Sequence, residues 1–437
     1  MHQYNIIRSF TGTKGEFGQD KLLKMIKVVH LQQSPVSAGS AATRLHKAFL
    51  DHDIDSSILS LLPVGTNDDK IKQLRKRSII KAGWDQTIQW KFIRNKIKSS
   101  YGLFSYPILG TNVSGLKQVQ DADIIYVHWV LHGFMNLTNY QQVIELGKPV
   151  IFFMHDMWTI TGGCHHSFGC DKYLTECNNC PMFEEKTIID WAKSEFQKKQ
   201  KLFKKYDNIY FVSPSKWLYN CARQSGLTKD KPVFYIPNIL GGTIFKPFDK
   251  KVAKQILNID PDEIVIAFGA VTVSSPYKGW EYLKQAIALL QLDPNFKNLS
   301  VLIFGGEYDK EIADAIPFKT RFMGYLREEY STALVYNAAD VFVGPSLAEA
   351  FGFTIYEALS CGTPVAAFET GGIPDQIMHK QNGYLARYKD YEDLAEGIKY
   401  CWVNKLKGYT LPQFDTTVTV GKHKELFEQI IQASNNI

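Results

Sequence analysis

The chain has 437 residues, of which 45% are hydrophobic, 22% charged and 13% aromatic. This composition is typical of a globular protein of two or three domains and excludes a collagen, a coiled coil or a disordered chain. The net charge of +6 is unevenly spread, because residues 1–238 carry 31 basic and 20 acidic side chains. No run reaches the ~18 consecutive apolar residues of a membrane span. Residues 1–24 lack the apolar core of a signal peptide, so they predict an extension outside the fold and a cytoplasmic location.

Short apolar runs rich in β-branched residues alternate with helical stretches along the chain, which predicts parallel strands covered by helices on both faces. About five strands in each half favour two Rossmann-like α/β domains over one eight-stranded barrel. The predicted strands are Ile26–Leu31, Ile124–His128, Pro149–Met154, Ile209–Val212, Val233–Ile236, Ile264–Phe268, Leu299–Phe304, Thr320–Gly324, Val341–Val343 and Pro364–Phe368.

The boundary between the two domains is predicted near residues 236–247 (IPNILGGTIFKP), where Pro and Gly concentrate. We therefore predict an N-terminal domain over residues 25–238 and a C-terminal domain over residues 239–415. Residues 416–437 have apolar side chains at helical spacing. They predict a final helix that packs back on the N-terminal domain.

The segment 70–98 combines ten basic residues with interleaved aromatic and aliphatic side chains and one acid, Asp85. This mixture is typical of a helix on an anionic membrane surface, where each basic residue contributes roughly 1 kcal/mol. A solvated helical face is the alternative. Nucleic acid is disfavoured, because no nucleic-acid-binding motif is recognised. The basic residues are Lys70, Lys72, Arg75, Lys76, Arg77, Lys81, Lys91, Arg94, Lys96 and Lys98.

Three predicted strand ends in the N-terminal half carry groups suited to a ligand. After the first strand, the loop SPVSAGS places Gly39 at the start of a helix, where a Gly–small pair can bind an anion. His128 and Trp129 follow the second strand, and His155 follows the third. Ligands of open α/β sheets bind at the carboxyl ends of strands, so these residues predict one wall of a cleft. A structural histidine and a plain loop glycine are the alternatives.

Four of the seven cysteines cluster within residues 161–182, beside two histidines. One CxxC pair with two further thiols is enough for a tetrahedral structural zinc. Reduced free thiols are the second interpretation. A disulfide is the third, and the predicted cytoplasmic location disfavours it. The four residues are Cys164, Cys170, Cys177 and Cys180.

The most informative segment is Val341–Ala367 (VFVGPSLAEAFGFTIYEALSCGTPVAA), which predicts a buried strand, a loop with Glu349 and a helix. The helix is predicted to begin near Gly352 and to contain Glu357. Its first N–H groups and partial positive charge suit a phosphate. Glu357 lies deep enough in the helix to accept hydrogen bonds from a ribose diol.

This segment resembles the Glu-x7-Glu signature of retaining family 4 glycosyltransferases, which have the GT-B fold of two Rossmann-like domains facing a cleft. Residues 268–283 (FGAVTVSSPYKGWEYL) are similar to the family's Gly-…-Lys-Gly segment, and 371–375 (GGIPD) match in place and order. The resemblance covers roughly residues 25–398. The cysteine cluster is similar to insertions in a subset associated with capsule, colanic-acid-like or O-antigen assembly.

The resemblance implies a role for each matching residue. Glu349 would contact the donor sugar, Glu357 the nucleotide ribose and Lys278 the diphosphate. His155 would hydrogen-bond a sugar hydroxyl. Many family members carry an Arg near Ala270 or Val271 as a second diphosphate cation, and here Arg327 is a candidate substitute. The further donor-binding positions implied are Gly39, Gly269, Phe351 and Gly352, and His128 and Trp129 would line the acceptor side.

The expected function is retaining transfer of a sugar from a nucleotide sugar to a glycan or polyprenyl-linked acceptor in surface polysaccharide assembly, at the inner face of the membrane. UDP is the favoured nucleotide and GDP the next. No catalytic metal is expected, because the triplets at 121–123 and 260–262 (both DxD) precede strands, whereas a metal-binding DxD follows one. The alternatives are a nucleotide-sugar epimerase of the same fold and a non-catalytic nucleotide-sugar binder. A dehydrogenase is disfavoured, because no GxGxxG follows a strand.

Overall fold

A computed structural model describes residues 26–35, 40–63, 68–185, 188–270, 272–273, 275–306 and 308–435. The predicted extension at 1–24 lies outside these residues. The strands are β1 (Lys27–Gln32), β2 (Asp55–Ser60), β3 (Ile71–Gln73), β4 (Ile124–Val127), β5 (Val150–Phe153), β6 (Ile209–Ser213), β7 (Val233–Tyr235), β8 (Ile264–Gly269), β9 (Leu299–Phe304), β10 (Lys319–Phe322), β11 (Val341–Gly344), β12 (Val365–Phe368) and β13 (Gly383–Ala386).

The α-helices are α1 (Ser40–Asp51), α2 (Lys76–Phe92), α3 (Lys117–Asp121), α4 (Leu137–Ile144), α5 (Trp191–Lys205), α6 (Lys216–Gln224), α7 (Lys250–Ile256), α8 (Trp280–Leu290), α9 (Lys310–Asp314), α10 (Glu329–Ala338), α11 (Phe353–Ser360), α12 (Tyr391–Val403) and α13 (Thr416–Asn435). Short 3-10 helices lie at Arg94–Lys96, Trp158–Ile160, Lys172–Leu174, Pro294–Phe296, Ile373–Asp375 and Pro412–Phe414.

The strands form two sheets, and every strand pair described is parallel. The first has the order β3-β2-β1-β4-β5-β6-β7 and the second the order β10-β9-β8-β11-β12-β13. The side chains of the central strands are almost all buried, as expected for sheets with helices on both faces, whereas those of β3, β7 and β10 are mostly not. Two Rossmann-like α/β domains are therefore confirmed.

Each of the ten predicted strands is present, and three further strands were not predicted. β2 (DSSILS) begins with three polar residues, although Ser56 and Ser60 are buried in the sheet. β3 is three residues long and lies in the basic segment. β13 (GYLA) is short, begins with glycine and forms an edge of the second sheet. None of the three has the apolar run that marks most of the other strands.

The last helix, α13, packs on the first sheet. Phe427 lies in one apolar cluster with Phe49 of α1 and Tyr126 of β4. The Tyr126 hydroxyl and His423 Nδ1 are hydrogen-bonded at 2.8 Å. Helix α13 therefore packs on the N-terminal domain.

Helix α2 has an inverted distribution of side chains. Its buried residues are small or polar, and the Asp85 carboxylate accepts hydrogen bonds from the backbone of Ile108 and Leu109. Its exposed residues include Ile80, Trp84 and Trp90, each more than 60% exposed. Within the described residues, no helix has the length and apolar character needed to cross a membrane.

Candidate functional site

Two loops at the carboxyl ends of β8 and β11 bring together the first pair of predicted residues. Lys278 Nζ lies 3.0 Å from Glu349 Oε2. The approach depends on Gly279, which has a φ of +70° and where an added Cβ would lie 1.8 Å from the Pro345 carbonyl oxygen. Burial lowers the pKa of Lys278, but the Glu349 carboxylate outweighs it, and the net shift is upward. Lys278 is therefore a cation held at the strand ends.

The helix that follows is also where the sequence predicts it. Gly352 lies immediately before α11, so the first N–H groups of the helix face the same loops. Both carboxylate oxygens of Glu357 are engaged: Oε2 accepts from the Tyr336 hydroxyl at 3.0 Å, and Oε1 accepts from Arg44 Nη2 at 2.9 Å. Burial raises the pKa of Glu357, and Arg44 opposes that shift.

Arg44 is a site residue to which sequence reasoning gave no role. It lies on α1 of the N-terminal domain and reaches across to the C-terminal domain, where Nη2 also donates to Glu329 Oε1 at 2.7 Å. Its guanidinium carbon lies 5.4 and 5.0 Å from the ring centroids of Phe245 and Phe353. The sequence signal that could have identified Arg44 is its position on the helix that follows the predicted anion-binding turn. Arg327, the substitute considered above, is exposed.

Two predicted donor-binding positions are closely packed by neighbouring side chains, and their role toward a donor stays a prediction. Gly269 ends β8, and an added Cβ there would lie 2.4 Å from the Phe304 ring. Phe351 is buried, and its carbonyl oxygen accepts a hydrogen bond from the Gln376 side chain. Gly39 lies outside the described residues.

The opposite wall is built from neutral imidazoles and one carboxylate. His128 Nδ1 and His155 Nε2 are hydrogen-bonded at 2.9 Å. Burial lowers the pKa of His128 and takes the pKa of His155 to about 4. Trp129 Nε1 donates to Asp156 Oδ2 at 3.1 Å, and His165 Nδ1 lies 2.6 Å from the same oxygen. Although burial raises the pKa of Asp156, the His165 contact lowers it to about 2.

The cysteine-rich segment, residues 161–182, contributes a second site residue that was not predicted, His166. Its ring centroid lies 5.5 Å from that of Tyr277, the neighbour of Lys278, and its buried Nδ1 has no hydrogen-bond partner in the described structure. Burial lowers the pKa of His166, while the nearby Asp156 and Glu349 carboxylates oppose that shift. The insertion therefore borders the Lys278–Glu349 pair, although the sequence offered only a His-His pair beside cysteines.

The four clustered cysteines line one cavity of about 20 Å³, and all seven cysteines of the chain are free. Burial raises the pKa of Cys177 to about 12 and raises that of Cys164 further, so both thiols are neutral. In the part of the chain that is described, no three or more His, Cys, Asp or Glu side chains are grouped as a metal site. The structure thus brings these four cysteines together, and the zinc site stays a prediction.

These domains, with strand ends facing each other across a cleft, define the GT-B fold. Residues 262–404 match the family model described as glycosyl transferases group 1. A D-inositol 3-phosphate glycosyltransferase of Saccharomonospora viridis is 33% identical over 167 residues, covering 35% of this chain and 38% of that protein. The corresponding protein of Mycobacteroides abscessus is 32% identical over 182 residues, 38% of each chain. The resemblance to a glycosyltransferase family is therefore confirmed, and the matched stretch spans less than two fifths of these relatives.

Solved structures match the fold over nearly the whole chain. Sucrose-phosphate synthase from Thermosynechococcus elongatus has a TM-score of 0.60 at 16% identity, covering 93% of this chain and all of that one. Anabaena HepE in complex with UDP and glucose has a TM-score of 0.53 at 15% identity, covering 94% and 100%. At these identities the likeness concerns the fold, and it extends the GT-B assignment to the N-terminal domain.

Proposed function

We propose that this protein is a retaining glycosyltransferase that moves a sugar from a nucleotide sugar, with UDP favoured, to a glycan or polyprenyl-linked acceptor in surface polysaccharide assembly. The observation that carries the proposal is the Lys278–Glu349 pair beside the N-terminus of α11. The relatives named above are glycosyltransferases, and the structural neighbour HepE was crystallised with UDP-glucose.

The chemistry follows from where charge develops during transfer. The bond between the sugar and the diphosphate breaks, and the electron pair leaves with the phosphate oxygen. Lys278 and the first N–H groups of α11 are positioned to stabilise that negative charge. Glu349, held by Lys278, accepts hydrogen bonds from hydroxyls of the sugar. The acceptor hydroxyl approaches from the side of Trp129 and Asp156, its oxygen forms the new bond to the sugar carbon, and its proton passes to the departing phosphate oxygen.

The first experiment replaces the carboxylate of Glu349 with an amide. Glu349→Gln can still accept a hydrogen bond from Lys278, so the loop is preserved while the charge is lost. We expect turnover to fall by about 100-fold or more and the dissociation constant of UDP to change by less than about threefold. Glu369→Gln, an exposed glutamate of the same domain, is the matched control. Full activity in Glu349→Gln, or a large loss of UDP affinity, contradicts the proposed role.

The second experiment identifies the nucleotide and separates the alternatives. Thermal-shift measurements with UDP, GDP, ADP and CDP should show a rise of several degrees for one diphosphate at about 100 times its dissociation constant. The matching nucleotide sugars are then incubated without an acceptor. An epimerase converts the sugar under that condition, and a non-catalytic binder leaves it unchanged with or without acceptor. Transfer that requires an acceptor supports the proposal.

We propose further that helix α2 binds the anionic face of a membrane, which brings the site to a lipid-linked acceptor. Its exposed side chains combine large apolar residues with basic residues near both ends of the helix, and a globular protein rarely exposes several large aromatic side chains on one helix without a partner. Tryptophan prefers the interface of a bilayer, and lysine and arginine bind anionic headgroups.

Vesicle flotation tests this surface. Vesicles of phosphatidylglycerol and phosphatidylcholine should bind the chain, whereas phosphatidylcholine alone should bind it weakly. The double variant Trp84→Ser/Trp90→Ser should lower binding about tenfold. Leu292→Ser, which removes an exposed apolar residue of the C-terminal domain, should leave it unchanged. Binding that does not weaken with salt contradicts the electrostatic part.

A further inference from the structure

A continuous chain of hydrogen-bonded side chains runs across the first sheet to His155. Its links are 3.3 Å from Asp68 Oδ2 to His46 Nε2, 2.8 Å from His46 Nδ1 to Ser56 Oγ and 3.1 Å from Ser56 Oγ to His30 Nε2. His30 Nδ1 then lies 2.8 Å from His128 Nε2, and His128 Nδ1 lies 2.9 Å from His155 Nε2. The chain thus begins at an acid outside the cleft and ends at the candidate site.

The middle of this chain is sealed from solvent. His30, His46 and Ser56 are almost completely buried, and the rings of Tyr126 and Phe49 pack against His30. Burial lowers the pKa of His30, His46 and His128, and that of His155 as described above. Each imidazole is therefore neutral near pH 7, with one nitrogen that donates and one that accepts.

Neutral imidazoles in series must all point the same way. If His46 donates from Nε2, its Nδ1 accepts from the Ser56 hydroxyl, which in turn accepts from His30 Nε2. His30 Nδ1 then accepts from His128 Nε2, and His128 Nδ1 accepts from His155 Nε2. In the opposite arrangement, the donor and the acceptor of every hydrogen bond in the chain are exchanged. The protonated nitrogen at one end of the chain therefore fixes the protonated nitrogen at the other end.

Asp68 decides the direction, because an ionised carboxylate only accepts hydrogen bonds. The reversed chain would place the lone pair of His46 Nε2 against the carboxylate oxygen. Asp68 is partly exposed, and its other oxygen accepts from the backbone N–H of Lys70 at 3.0 Å. Donation therefore runs from His155 toward Asp68, and the proton of His155 lies on Nε2.

We propose that this chain fixes His155 with Nε2 protonated and Nδ1 bare, so that His155 accepts a hydrogen bond from a hydroxyl of the transferred sugar. The assignment of the sugar rests on the proposed function, whereas the state of the ring does not. Asp68 and Ser56 act through His155 and are positioning residues. A donor sugar is thereby selected for a hydroxyl that can donate at this point.

The test is nuclear magnetic resonance of the full chain labelled with 15N-histidine. Long-range correlations from the carbon-bound ring protons distinguish the protonated nitrogen from the bare one, and loss of a signal in His155→Gln assigns it. We expect His155 to be the Nε2–H form at pH 7.5. Ser56→Ala breaks the chain in the middle and should leave His155 as a mixture of both forms.

Two neighbouring residues supply matched controls. Ser57→Ala removes a hydroxyl of the same strand that donates a long hydrogen bond, 3.5 Å, to the Val28 carbonyl oxygen, and Asp69→Asn removes the exposed acid next to Asp68. Neither should change the His155 signal. Ser56→Ala and Asp68→Asn should lower kcat/KM for the sugar donor about 5- to 50-fold and leave UDP affinity within about twofold, a loss typical of one hydrogen bond.

The outcomes separate this inference from the proposed function. An Nδ1–H form in the wild type, or an unchanged signal in Ser56→Ala, overturns the proposal. UDP-glucose and UDP are then added in turn. A shift of His155 Nδ1 with the sugar nucleotide alone supports contact with the sugar, and an equal response to UDP rejects it. If neither ligand binds, the proposed function fails while the state of the ring is still read directly.

Discussion

The two domains share one architecture but offer opposite chemistry at the cleft. The C-terminal domain contributes charges, with Lys278 and Glu349 paired at the strand ends and Glu357 on α11, the helix that follows Glu349. The N-terminal domain contributes buried, neutral imidazoles, with Asp156 as a carboxylate fixed by its neighbours. Of the 11 histidines, only His379 and His423 lie after residue 238, and His423 packs on the N-terminal sheet through Tyr126.

This difference follows from what each wall would have to bind. A diphosphate requires fixed positive charge and free N–H groups, which the C-terminal strand ends and α11 provide. Neutral sugar hydroxyls require directional donors and acceptors without net charge, which imidazoles provide. The family match covers residues 262–404 and therefore falls entirely in the C-terminal domain, which carries the charged wall formed by Lys278, Glu349 and Glu357. Under the proposed function, nucleotide recognition would be the part shared with the family, and the histidine wall would be where specificity for the sugar resides.

Acid should destabilise the N-terminal domain more than the C-terminal domain, and this is the largest effect that we expect. Burial lowers the pKa of His132 and His423 to about 3 and that of His155 to about 4. The unfolded chain, with ordinary histidines, takes up protons below pH 6.5 that the folded chain does not. Stability is therefore full above about pH 6.5 and lost as the pH falls, by about 2 kcal/mol per histidine at pH 5.

Hydrogen exchange measured by mass spectrometry at pH 7 and pH 5 tests this expectation. Peptides of the N-terminal sheet and of α13 should lose protection first, while the second sheet stays protected. His423→Gln should reduce the dependence on pH by about 2 kcal/mol, whereas His379→Gln, at an exposed position, should leave it unchanged. Equal loss of protection from hydrogen exchange in both domains would mean that the buried histidines do not govern stability in acid.

Removing the cation of the charged wall is the next effect in size. Lys278→Met keeps an unbranched side chain that is one heavy atom shorter, but it leaves Glu349 without its partner and, under the proposed function, the diphosphate without its cation. We expect turnover to fall by about 10²- to 10³-fold, equivalent to about 3–4 kcal/mol of barrier, and UDP affinity to fall about tenfold. Steady-state kinetics and calorimetry measure the two. Lys284→Met, which removes a surface pair with Glu281, should change neither by more than about twofold.

The predictability of the two walls differs for a physical reason. The charged wall was predictable from sequence, because Lys278, Glu349 and Glu357 lie within short motifs whose spacing on a strand, loop and helix sets their position. The histidine wall was only half predictable. His128 and His155 follow apolar strands, but His30 and Ser56 lie inside strands and meet only because β1 pairs with both β2 and β4.

The same limit explains the other residues that sequence reasoning missed. Arg44 and His166 reach the cleft through contacts between segments far apart in the chain, and no local spacing encodes such contacts. β2 was missed because its buried serines, which include Ser56, carry no apolar signal. The Ser56 hydroxyl, which interrupts the apolar pattern of β2, is the group that links His46 to His30 in the hydrogen-bonded chain.

The smallest of these effects concerns the point where the two walls meet. The side chains of Arg44 and Glu357 are 9% and 11% exposed, whereas that of Glu329, the second partner of Arg44, is 42% exposed. Arg44→Met leaves Glu357 with only the Tyr336 hydroxyl, and a carboxylate stranded by loss of its partner is costly. We expect the free energy of unfolding in urea at pH 8 to fall by about 2 kcal/mol, less than for a fully buried pair because water reaches the rim. Glu329→Gln should cost less than about 1 kcal/mol.

Because Gln keeps the bond to Tyr336 without the charge, adding Glu357→Gln to Arg44→Met should recover much of the loss. If the double variant is instead as unstable as the sum of the two single variants, the contact is packing by the arginine side chain, and the two walls are not joined through charge.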